Sequence, residues 1–350
     1  MINIYGLTRK QLEDKLVEMG EKKFRATQIF EWLYKKNVHS FKEMSNIKKE
    51  SIEKLEKEFE ITTLKLEKSQ ISSDGTRKYL FELYDGNYIE TVLMKHQYGL
   101  SVCVSTQVGC NMGCAFCASG LNKKKRNLEV YEMVLQIQMI NNALAKEGER
   151  VSHVVVMGIG EPFDNYDNLL SFLRIINDGK GLEIGSRHIT VSTCGVVPKI
   201  REYADFELQV NLAVSLHFAT NEKRDKYMLI NHAYKIEELM DALKYYYKKT
   251  NRRITFEYIL LKDINDTKED AKALIKLIKG MNCYINLIPM NSTVNEFTRS
   301  TEAQTKIFYE TLIKNNINVT LRKEQGHDID AACGQLRIKT MQEQGKICKD

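Results

Sequence analysis

The spacing of apolar side chains divides the chain into a helical first part and a longer part in which strands and helices alternate. Over about the first 65 residues, apolar positions recur every three or four residues, as in Leu12, Leu16 and Met19, which is the period of amphipathic helices. Thr8 and Gln11 have the spacing of a capping box at the start of the first helix. The pattern therefore predicts a small helical domain.

A β-hairpin is predicted directly after this helical part. The runs Arg77–Leu83 and Tyr88–Met94 are rich in Tyr, Leu, Ile and Val, and Asp85, Gly86 and Asn87 between them supply the chemistry of a tight turn. We expect the domain junction here. The expected divisions are a helical domain over residues 1–75, a hairpin connector over 76–98, a large α/β domain over 99–340 and a tail over 341–350.

From about residue 100 onward, β-branched runs alternate with amphipathic helical stretches. Strands that alternate with helices form a parallel sheet with crossover helices. The pattern fits both an open doubly wound sheet and a partial barrel, and periodicity does not separate the two. The predicted strands are Val102–Ser105, Val154–Met157, His188–Ser192, Val210–Leu216, Ile254–Leu261, Tyr284–Ile288 and Asn318–Leu321, and the predicted helices are Val130–Leu144, Asn168–Ile176, Ile236–Tyr247 and Ala271–Ile278.

Composition excludes several classes of protein. The 350 residues are 43% hydrophobic and 28% charged, which excludes a disordered or collagen-like chain. The net charge of +6 allows a polyanionic partner without requiring one. We expect a cytoplasmic protein, because the sequence shows neither a membrane-spanning apolar run nor a secretion signal. In a reducing compartment its eight cysteines are expected to be metal ligands, catalytic thiols or small core residues.

Three cysteines form the clearest candidate site. Cys110, Cys114 and Cys117 follow a predicted strand within a glycine-rich stretch. Three thiolates are one fewer than a closed zinc site or a fully ligated 4Fe-4S cluster needs, so one metal position would stay open for a ligand. The alternatives are a zinc site completed by His96 or a distant cysteine, and three unrelated thiols. Cys194 and Cys283 lie in apolar strands and are expected to be small core residues.

The C-x3-C-x2-C spacing, with Phe116 just before the last cysteine, resembles the radical S-adenosylmethionine (SAM) enzymes. The resemblance implies a partial (βα)6 barrel with the cysteine loop after its first strand. It also implies one [4Fe-4S] cluster, held by Cys110, Cys114 and Cys117, and SAM bound at the fourth iron. Reduction of the bound SAM yields a deoxyadenosyl radical in that superfamily.

Longer motifs are similar to those of the RlmN/Cfr family of RNA adenine methyltransferases, over nearly the whole chain. Pro162, where the members that methylate carbon 8 are expected to have alanine, favours methylation of carbon 2. Cys194 departs from the family's usual serine. The motifs that carry the resemblance are Ser105–Cys110, Met157–Pro162, Thr190–Gly195, Ser215–His217, Ile285–Asn291 and Asp328–Leu336.

The resemblance implies a role for each candidate residue. Cys333 would carry a methyl group from one SAM, Cys103 would release the product by forming a disulfide with Cys333, and Glu90 would accept the proton from carbon 2. The small residues around Cys333 would also let a thiol approach a ligand closely. The residues implied to contact SAM are Gly160, Glu161, Ser192, Ser215, Leu216, His217 and Asn291.

The implied substrates are 23S ribosomal RNA and transfer RNA, with the helical domain guiding the RNA. The expected electron donor is a protein such as flavodoxin or ferredoxin, and we expect a monomer without membrane contact. The basic run Lys123–Arg126 is the strongest candidate for phosphate binding. Two alternative functions remain, an adenine-C8 methyltransferase and a zinc-stabilised RNA-binding protein without catalytic activity.

Overall fold

The fold is described here from a computed structural model, which covers residues 1–121, 123–290, 297–331 and 334–345. Two predicted site residues, Asn291 and Cys333, lie outside the described residues. In the described part of the chain, no helix is long and apolar enough to cross a lipid bilayer.

The first part of the chain is helical, as predicted. Thr8 starts the first helix with a capping box, in which its hydroxyl accepts from the Gln11 amide and the Gln11 side chain accepts from the Thr8 amide. Two short strands, one near the beginning and one near the end of this part, pair in parallel with each other. The elements are β1 (Ile2–Asn3), α1 (Arg9–Glu18), α2 (Phe24–Phe30), α3 (Lys49–Glu58) and β2 (Phe59–Glu60).

One large sheet dominates the rest of the molecule. Among the described residues, ten strands pair in the order β14-β13-β12-β11-β10-β9-β6-β5-β4-β3, and a separate pair, β7 and β8, lies beside the sheet. The strands are β3 (Lys65–Ile71), β4 (Arg77–Glu82), β5 (Tyr88–His96), β6 (Gly99–Cys103), β7 (Gln107–Val108), β8 (Arg126–Asn127), β9 (Val151–Val156), β10 (Ile189–Thr193), β11 (Asn211–Ser215), β12 (Ile254–Leu260), β13 (Cys283–Pro289) and β14 (Val319–Leu321).

Strand order decides between the two architectures that the sequence allows. Strands β6 and β9 to β14 are parallel and follow one another in chain order. A doubly wound sheet would reverse direction at a switch point, so this sheet has the order of a barrel. Within the described residues, the sheet does not close through strand pairing. Instead Arg322, just after β14, reaches the Met94 sulfur on β5 at 3.9 Å, and the Gln325 side chain donates to the Lys95 carbonyl at 3.3 Å.

The predicted hairpin is present as β4 and β5, and it belongs to the large sheet. Strand β5 pairs antiparallel with both β4 and β6, so the hairpin extends the barrel sheet at one edge. Strand β3 adds one more antiparallel strand beyond β4. Sequence patterning missed β3 because it is a largely exposed edge strand with charged side chains, which protects such an edge from pairing with other chains.

Helices cover the sheet and connect its parallel strands. Helix α4 occupies the predicted range Val130–Leu144. Several short helices were not predicted, because they do not span enough turns to show a period. The helices are α4 (Val130–Leu144), α5 (Tyr166–Asn177), α6 (Val197–Tyr203), α7 (Asn221–Tyr227), α8 (Ile230–Ala233), α9 (Ile236–Thr250), α10 (Lys268–Leu277), α11 (Glu302–Lys314) and α12 (Gln335–Glu343).

A single buried core joins the helical part to the barrel. The core runs from Ile4 in the first part to Val319 in β14 without separating into two clusters. Ion pairs reinforce the same contact, since the Arg9 guanidinium lies 2.9 Å from the Asp178 carboxylate and Lys180 lies 2.8 Å from Glu31. Part of the positive charge of the helical region is therefore used in contacts with the barrel.

Candidate active site

A cavity of about 410 Å³ lies at the end of the barrel where the parallel strands finish. Ligands bind at this end of α/β barrels. Of the other predicted site residues, Leu216 is fully buried and does not line the cavity, and Asn291 and Cys333 lie outside the described residues. The predicted residues that line the cavity are Glu90, Cys103, Cys110, Cys114, Cys117, Gly160, Glu161, Ser192, Ser215 and His217.

A second, larger groove of about 870 Å³ lies between the helical part, strand β4 and helix α4. Its lining includes Asn3, Thr62, Glu82, Tyr84 and Glu129. It contains none of the predicted site residues, so size alone does not identify the functional site.

The cysteine loop is held in place by helix α7 and the residues that follow it. The Ala115 amide donates to the Tyr227 carbonyl at 3.0 Å, and the backbone of Cys114 pairs with that of Met228 in an isolated antiparallel β-bridge. Gly113 has a φ of +62°, and a side chain there would meet the Leu229 side chain at 2.6 Å. The positive φ therefore favours glycine at this position of the motif, whereas the exposed Leu229 side chain could move aside for a larger residue.

The cysteine thiols fit a metal cluster better than they fit free thiolates. Burial raises the pKa of Cys110 to about 11 and also raises the pKa of Cys114, and repulsion from the neighbouring thiols adds to both increases. Three thiolates can share this site only if cations compensate their charge, as the irons of a [4Fe-4S] cluster do.

Within the described ranges, no three His, Cys, Asp or Glu side chains are grouped to hold a single metal ion. A [4Fe-4S] cluster has a different requirement, because each thiolate binds a different iron. Cys110, Cys114 and Cys117 line one cavity, which is the arrangement that a three-thiolate cluster needs.

The glycine-rich turn after β9 lies directly against the turn after β6. Gly158 donates its amide to the Val104 carbonyl at 3.0 Å. Gly160 has a φ of +112°, and a side chain at this position would lie 2.6 Å from the Gln107 side chain. Glycine is therefore required here by close backbone approach, and the turn brings the backbone of Gly160 to the cavity wall.

Glu161 connects the ends of β9 and β10. Its carboxylate accepts the Cys194 amide at 2.8 Å and the Phe163 amide at 3.0 Å. Burial raises the pKa of Glu161, while these hydrogen bonds oppose the increase by stabilising the ionised form. A buried carboxylate at the mouth of this turn is suited to bind an ammonium group.

The next two strands contribute hydroxyl and imidazole groups. The Ser192 and Ser215 hydroxyls lie 3.3 Å apart on neighbouring strands. The His217 Nδ1 accepts the Ile259 amide at 3.1 Å, which leaves the proton on Nε2. Burial lowers the pKa of His217 to about 3, so the ring is a neutral hydrogen-bond donor at physiological pH.

Glu90 and Cys103 lie on the adjacent strands β5 and β6. The Glu90 carboxylate accepts the Gly334 amide at 2.5 Å and the Arg337 amide at 2.6 Å, so it caps helix α12. Gly334 directly follows Cys333, and Ala331, two residues before Cys333, lines the cavity. The described residues on both sides of Cys333 therefore meet the cavity wall.

Sequence reasoning missed three buried charged residues around the site, Lys78, Arg224 and Glu257. Arg224 is 1% exposed and donates to the Leu216 carbonyl at 2.5 Å and the Cys194 carbonyl at 3.1 Å. Glu257 lines the cavity, and burial raises its pKa to about 6. Glu257 interrupts an apolar strand, and that interruption is a signal that could have identified it.

Comparison with known families supports the interpretation from the cysteine loop. Residues 2–61 match the family described as the ribosomal RNA large subunit methyltransferase N-terminal domain. Residues 104–278 match the radical SAM superfamily. The second range contains the cysteine loop and most of the cavity-lining strands.

Relatives match over almost the full length. A protein from Spiroplasma citri named probable dual-specificity RNA methyltransferase RlmN is 56% identical over 97% of this chain and 98% of its own length. A protein of the same name from Bacillus cereus is also 56% identical, over 98% and 95%. The crystal structure of a radical SAM methyltransferase from Sphaerobacter thermophilus has a TM-score of 0.90 at 39% identity, covering 96% of this chain and 99% of that one.

These similarities confirm the predicted family and the partial barrel. The protein is an enzyme, and its cofactors are a [4Fe-4S] cluster and SAM. With a cavity that gathers the cysteine loop, the glycine turn and Glu161, and with relatives matching end to end, the chain belongs to the RlmN family of radical SAM RNA methyltransferases.

Proposed function

We propose that this enzyme methylates carbon 2 of an adenine in the peptidyl-transferase centre of 23S ribosomal RNA and of the adenine 3′ of the anticodon in transfer RNA. The observation that supports this most directly is the shared cavity. It is lined by Glu90, Cys103 and the cysteine loop, and by Ala331 beside Cys333. The relatives' printed name, dual-specificity RNA methyltransferase, supports two kinds of RNA substrate.

The proposed chemistry follows from the properties of the target carbon. Carbon 2 of adenine is electron-poor and has no lone pair, so a direct polar methyl transfer from SAM is unfavourable. When bound, the [4Fe-4S] cluster and SAM supply one-electron chemistry that avoids this obstacle. Two SAM molecules are used per turnover, one of them to methylate the Cys333 sulfur.

The chain's own residues then complete the reaction. Once the bound cofactors have removed a hydrogen atom from its S-methyl group, Cys333 would form a carbon–carbon bond to adenine and stay bonded to the RNA until its carbon–sulfur bond breaks. The cofactors would also take up the one electron left over from this addition. Glu90 takes the proton from carbon 2, and Cys103 bonds to the Cys333 sulfur so that the methylated RNA is released. The Cys103 thiol lies at the end of β6 in the cavity wall, and burial raises its pKa. It therefore stays protonated until it bonds to the Cys333 sulfur.

The proposed SAM site uses the remaining polar groups. Glu161 binds the amino group of SAM, while Ser192, Ser215, His217 and the backbone of Gly160 contact the rest of the molecule. Leu216, which is fully buried between Ser215 and His217 in the sequence, and Asn291 complete the proposed set. The target base must leave its stack to reach a thiol in this cavity.

Nucleoside analysis tests the proposed product and substrates. Ribosomal and transfer RNA from cells with and without this enzyme are digested and analysed by mass spectrometry. We expect 2-methyladenosine in both RNA classes only when the enzyme is present. Methylation at carbon 8 would show the alternative product, and methylation in one RNA class alone would limit the substrate range.

The basic run Lys123–Arg126 near the cysteine loop is a candidate RNA-binding surface. Its residues differ in their contacts, which the sequence alone did not show. Lys124 lies 2.6 Å from the Asp164 carboxylate, and Arg126 contacts both Asp85 and Glu132 at 2.6 and 2.7 Å. Lys123 and Lys125 are exposed. We therefore assign phosphate binding to these two lysines and a structural role to Arg126.

Replacing Lys123 and Lys125 together with glutamine should weaken RNA binding at low salt. Each lysine that neutralises a phosphate contributes about 0.9 to the slope of log affinity against log salt, so the slope should fall by about two. Fluorescence anisotropy with labelled RNA across a salt series measures both the affinity and this slope. The matched control is Lys244→Gln with Lys248→Gln on helix α9; an equal loss in both pairs would exclude a specific surface.

Other features of the proposed cellular role follow from the family resemblance. We propose that the helical region, residues 1–75, guides the RNA toward the barrel, residues 99–340, with residues 76–98 connecting them. We also propose a cytoplasmic monomer that receives electrons from a protein such as flavodoxin or ferredoxin.

A further inference from the structure

Lys78 is a buried lysine beside the proposed proton acceptor. It lies on β4 and is 0% exposed, and its Nζ is 3.0 Å from the Glu90 Oε2. The same Nζ donates to the Asp330 carbonyl at 2.7 Å. Burying an ammonium group is costly unless it is paired and hydrogen-bonded, so this position requires a compensating interaction with Glu90.

The ion pair holds the chain on both sides of Cys333. Asp330, three residues before Cys333, is bound through its carbonyl to Lys78. Gly334, the next residue after Cys333, donates its amide to Glu90, as does Arg337. Lys78 and Glu90 therefore connect β4 and β5 to Asp330 and Gly334 through direct hydrogen bonds.

The two oxygens of Glu90 are used differently. Oε2 accepts the Gly334 amide and lies 3.0 Å from the Lys78 ammonium, whereas the described contacts to Oε1 consist of the Arg337 amide. Each carboxylate oxygen has about two acceptor positions. Among the described residues, Oε1 therefore keeps an acceptor position, while Oε2 is occupied by one hydrogen bond and the ion pair.

We propose that Lys78 is a positioning residue for the proton transfer: it pairs with the Glu90 Oε2 atom, fixes the orientation of the carboxylate, and so directs the proton from adenine carbon 2 to the Oε1 atom. The proton moves from carbon 2 to Oε1, and the electron pair of the broken C–H bond stays in the purine ring. No oxidant or reductant takes part in this step. The inference rests on the proposed function, in which Glu90 is the proton acceptor.

The same contacts give Lys78 a second effect, on Asp330. Because one ammonium group contacts both Glu90 and the Asp330 carbonyl, loss of its charge would loosen both contacts together. The proton-transfer step should therefore slow by about tenfold.

Replacing Lys78 with methionine tests this role, since methionine keeps the length of the side chain and removes its charge. The reaction is run with reconstituted enzyme and RNA whose target adenine carries hydrogen or deuterium at carbon 2. We expect the covalent protein–RNA species to persist about tenfold longer in Lys78→Met. Its decay should then show a primary deuterium isotope effect larger than that of the unaltered enzyme.

A matched control comes from helix α12. Lys339 is exposed and lies 3.3 Å from the Asp330 carboxylate, so Lys339→Met removes a lysine from Asp330 without touching Glu90. Lys339→Met should resolve the covalent species at the rate of the unaltered enzyme. Iron content and melting temperature, measured for each variant, identify one that has not folded.

Lys78→Gln provides a second variant, which can still donate to the Asp330 carbonyl but carries no charge. It should show the same longer lifetime and larger isotope effect, and it decides the question if Lys78→Met does not fold. Decay at the unaltered rate without a change in isotope effect would overturn the proposal. If the unaltered enzyme does not methylate carbon 2, the proposed function fails instead, and the two failures are distinguishable.

Discussion

Cys103→Ala should trap the enzyme on its substrate, so that a covalent protein–RNA species accumulates and the multiple-turnover rate falls to the background level. Cys103 ends strand β6 in the cavity wall, beside Val92 on β5 and Val155 on β9. Without its thiol, no sulfur in this wall position can bond to Cys333 and release the RNA. Alanine fills most of the remaining space, so the fold should be retained.

Denaturing gel electrophoresis with labelled RNA, followed by mass spectrometry of the crosslinked peptide, measures the trapped species. Cys333→Ala should instead bind SAM and RNA and form neither the covalent species nor methylated RNA. Cys283→Ala is the matched control, because this buried thiol begins strand β13 outside the cavity lining. Normal turnover by Cys103→Ala would refute the role of this residue.

Glu161→Gln should greatly weaken SAM binding. The carboxylate accepts two backbone amides from different strand ends, and glutamine would turn an NH2 group toward one of these donors. It would also remove the negative charge opposite the SAM amino group. Loss of one charge-assisted hydrogen bond costs roughly 1.5–3 kcal/mol, which is about a tenfold to hundredfold increase in Kd.

Isothermal titration with SAM under anaerobic conditions measures this change, using preparations matched for iron content. Asp164→Asn is the control, because Asp164 lies three residues further along the same turn and binds Lys124 and Gln107 without lining the cavity. An unchanged Kd in Glu161→Gln would show that the carboxylate only supports the turn.

The parallel strands of the barrel were predictable because they are buried on both faces. Such strands are continuous β-branched runs, and the prediction Ile254–Leu261 differs from β12 by one residue. The order of the strands in the sheet could not be predicted from the sequence, because the same alternation of strands and helices fits two topologies. Pairing of β14 with β13, and of β6 with β9, depends on contacts between residues far apart in sequence.

Candidate site residues could be named where a motif joins neighbouring residues and were missed where distant residues meet. The cysteine loop and Glu161 belong to short motifs, and the resemblance of those motifs to a known family implied their roles. Lys78 looks like an ordinary strand lysine, and only the fold brings it to Glu90. The expected role of Arg126 in the basic run changed for the same reason. Its guanidinium donates to the Asp85 carboxylate, which is 41 residues away in the sequence.

The shared core between the helical region and the barrel has a consequence for substrate choice. One continuous set of buried side chains, reinforced by the Arg9–Asp178 and Lys180–Glu31 ion pairs, packs the two regions against each other in the described part of the chain. If the helical region binds RNA as we propose, it holds that RNA at a set distance from the cavity. The enzyme should then favour an RNA that presents an adenine at this distance over an RNA that has the same local sequence in a different architecture.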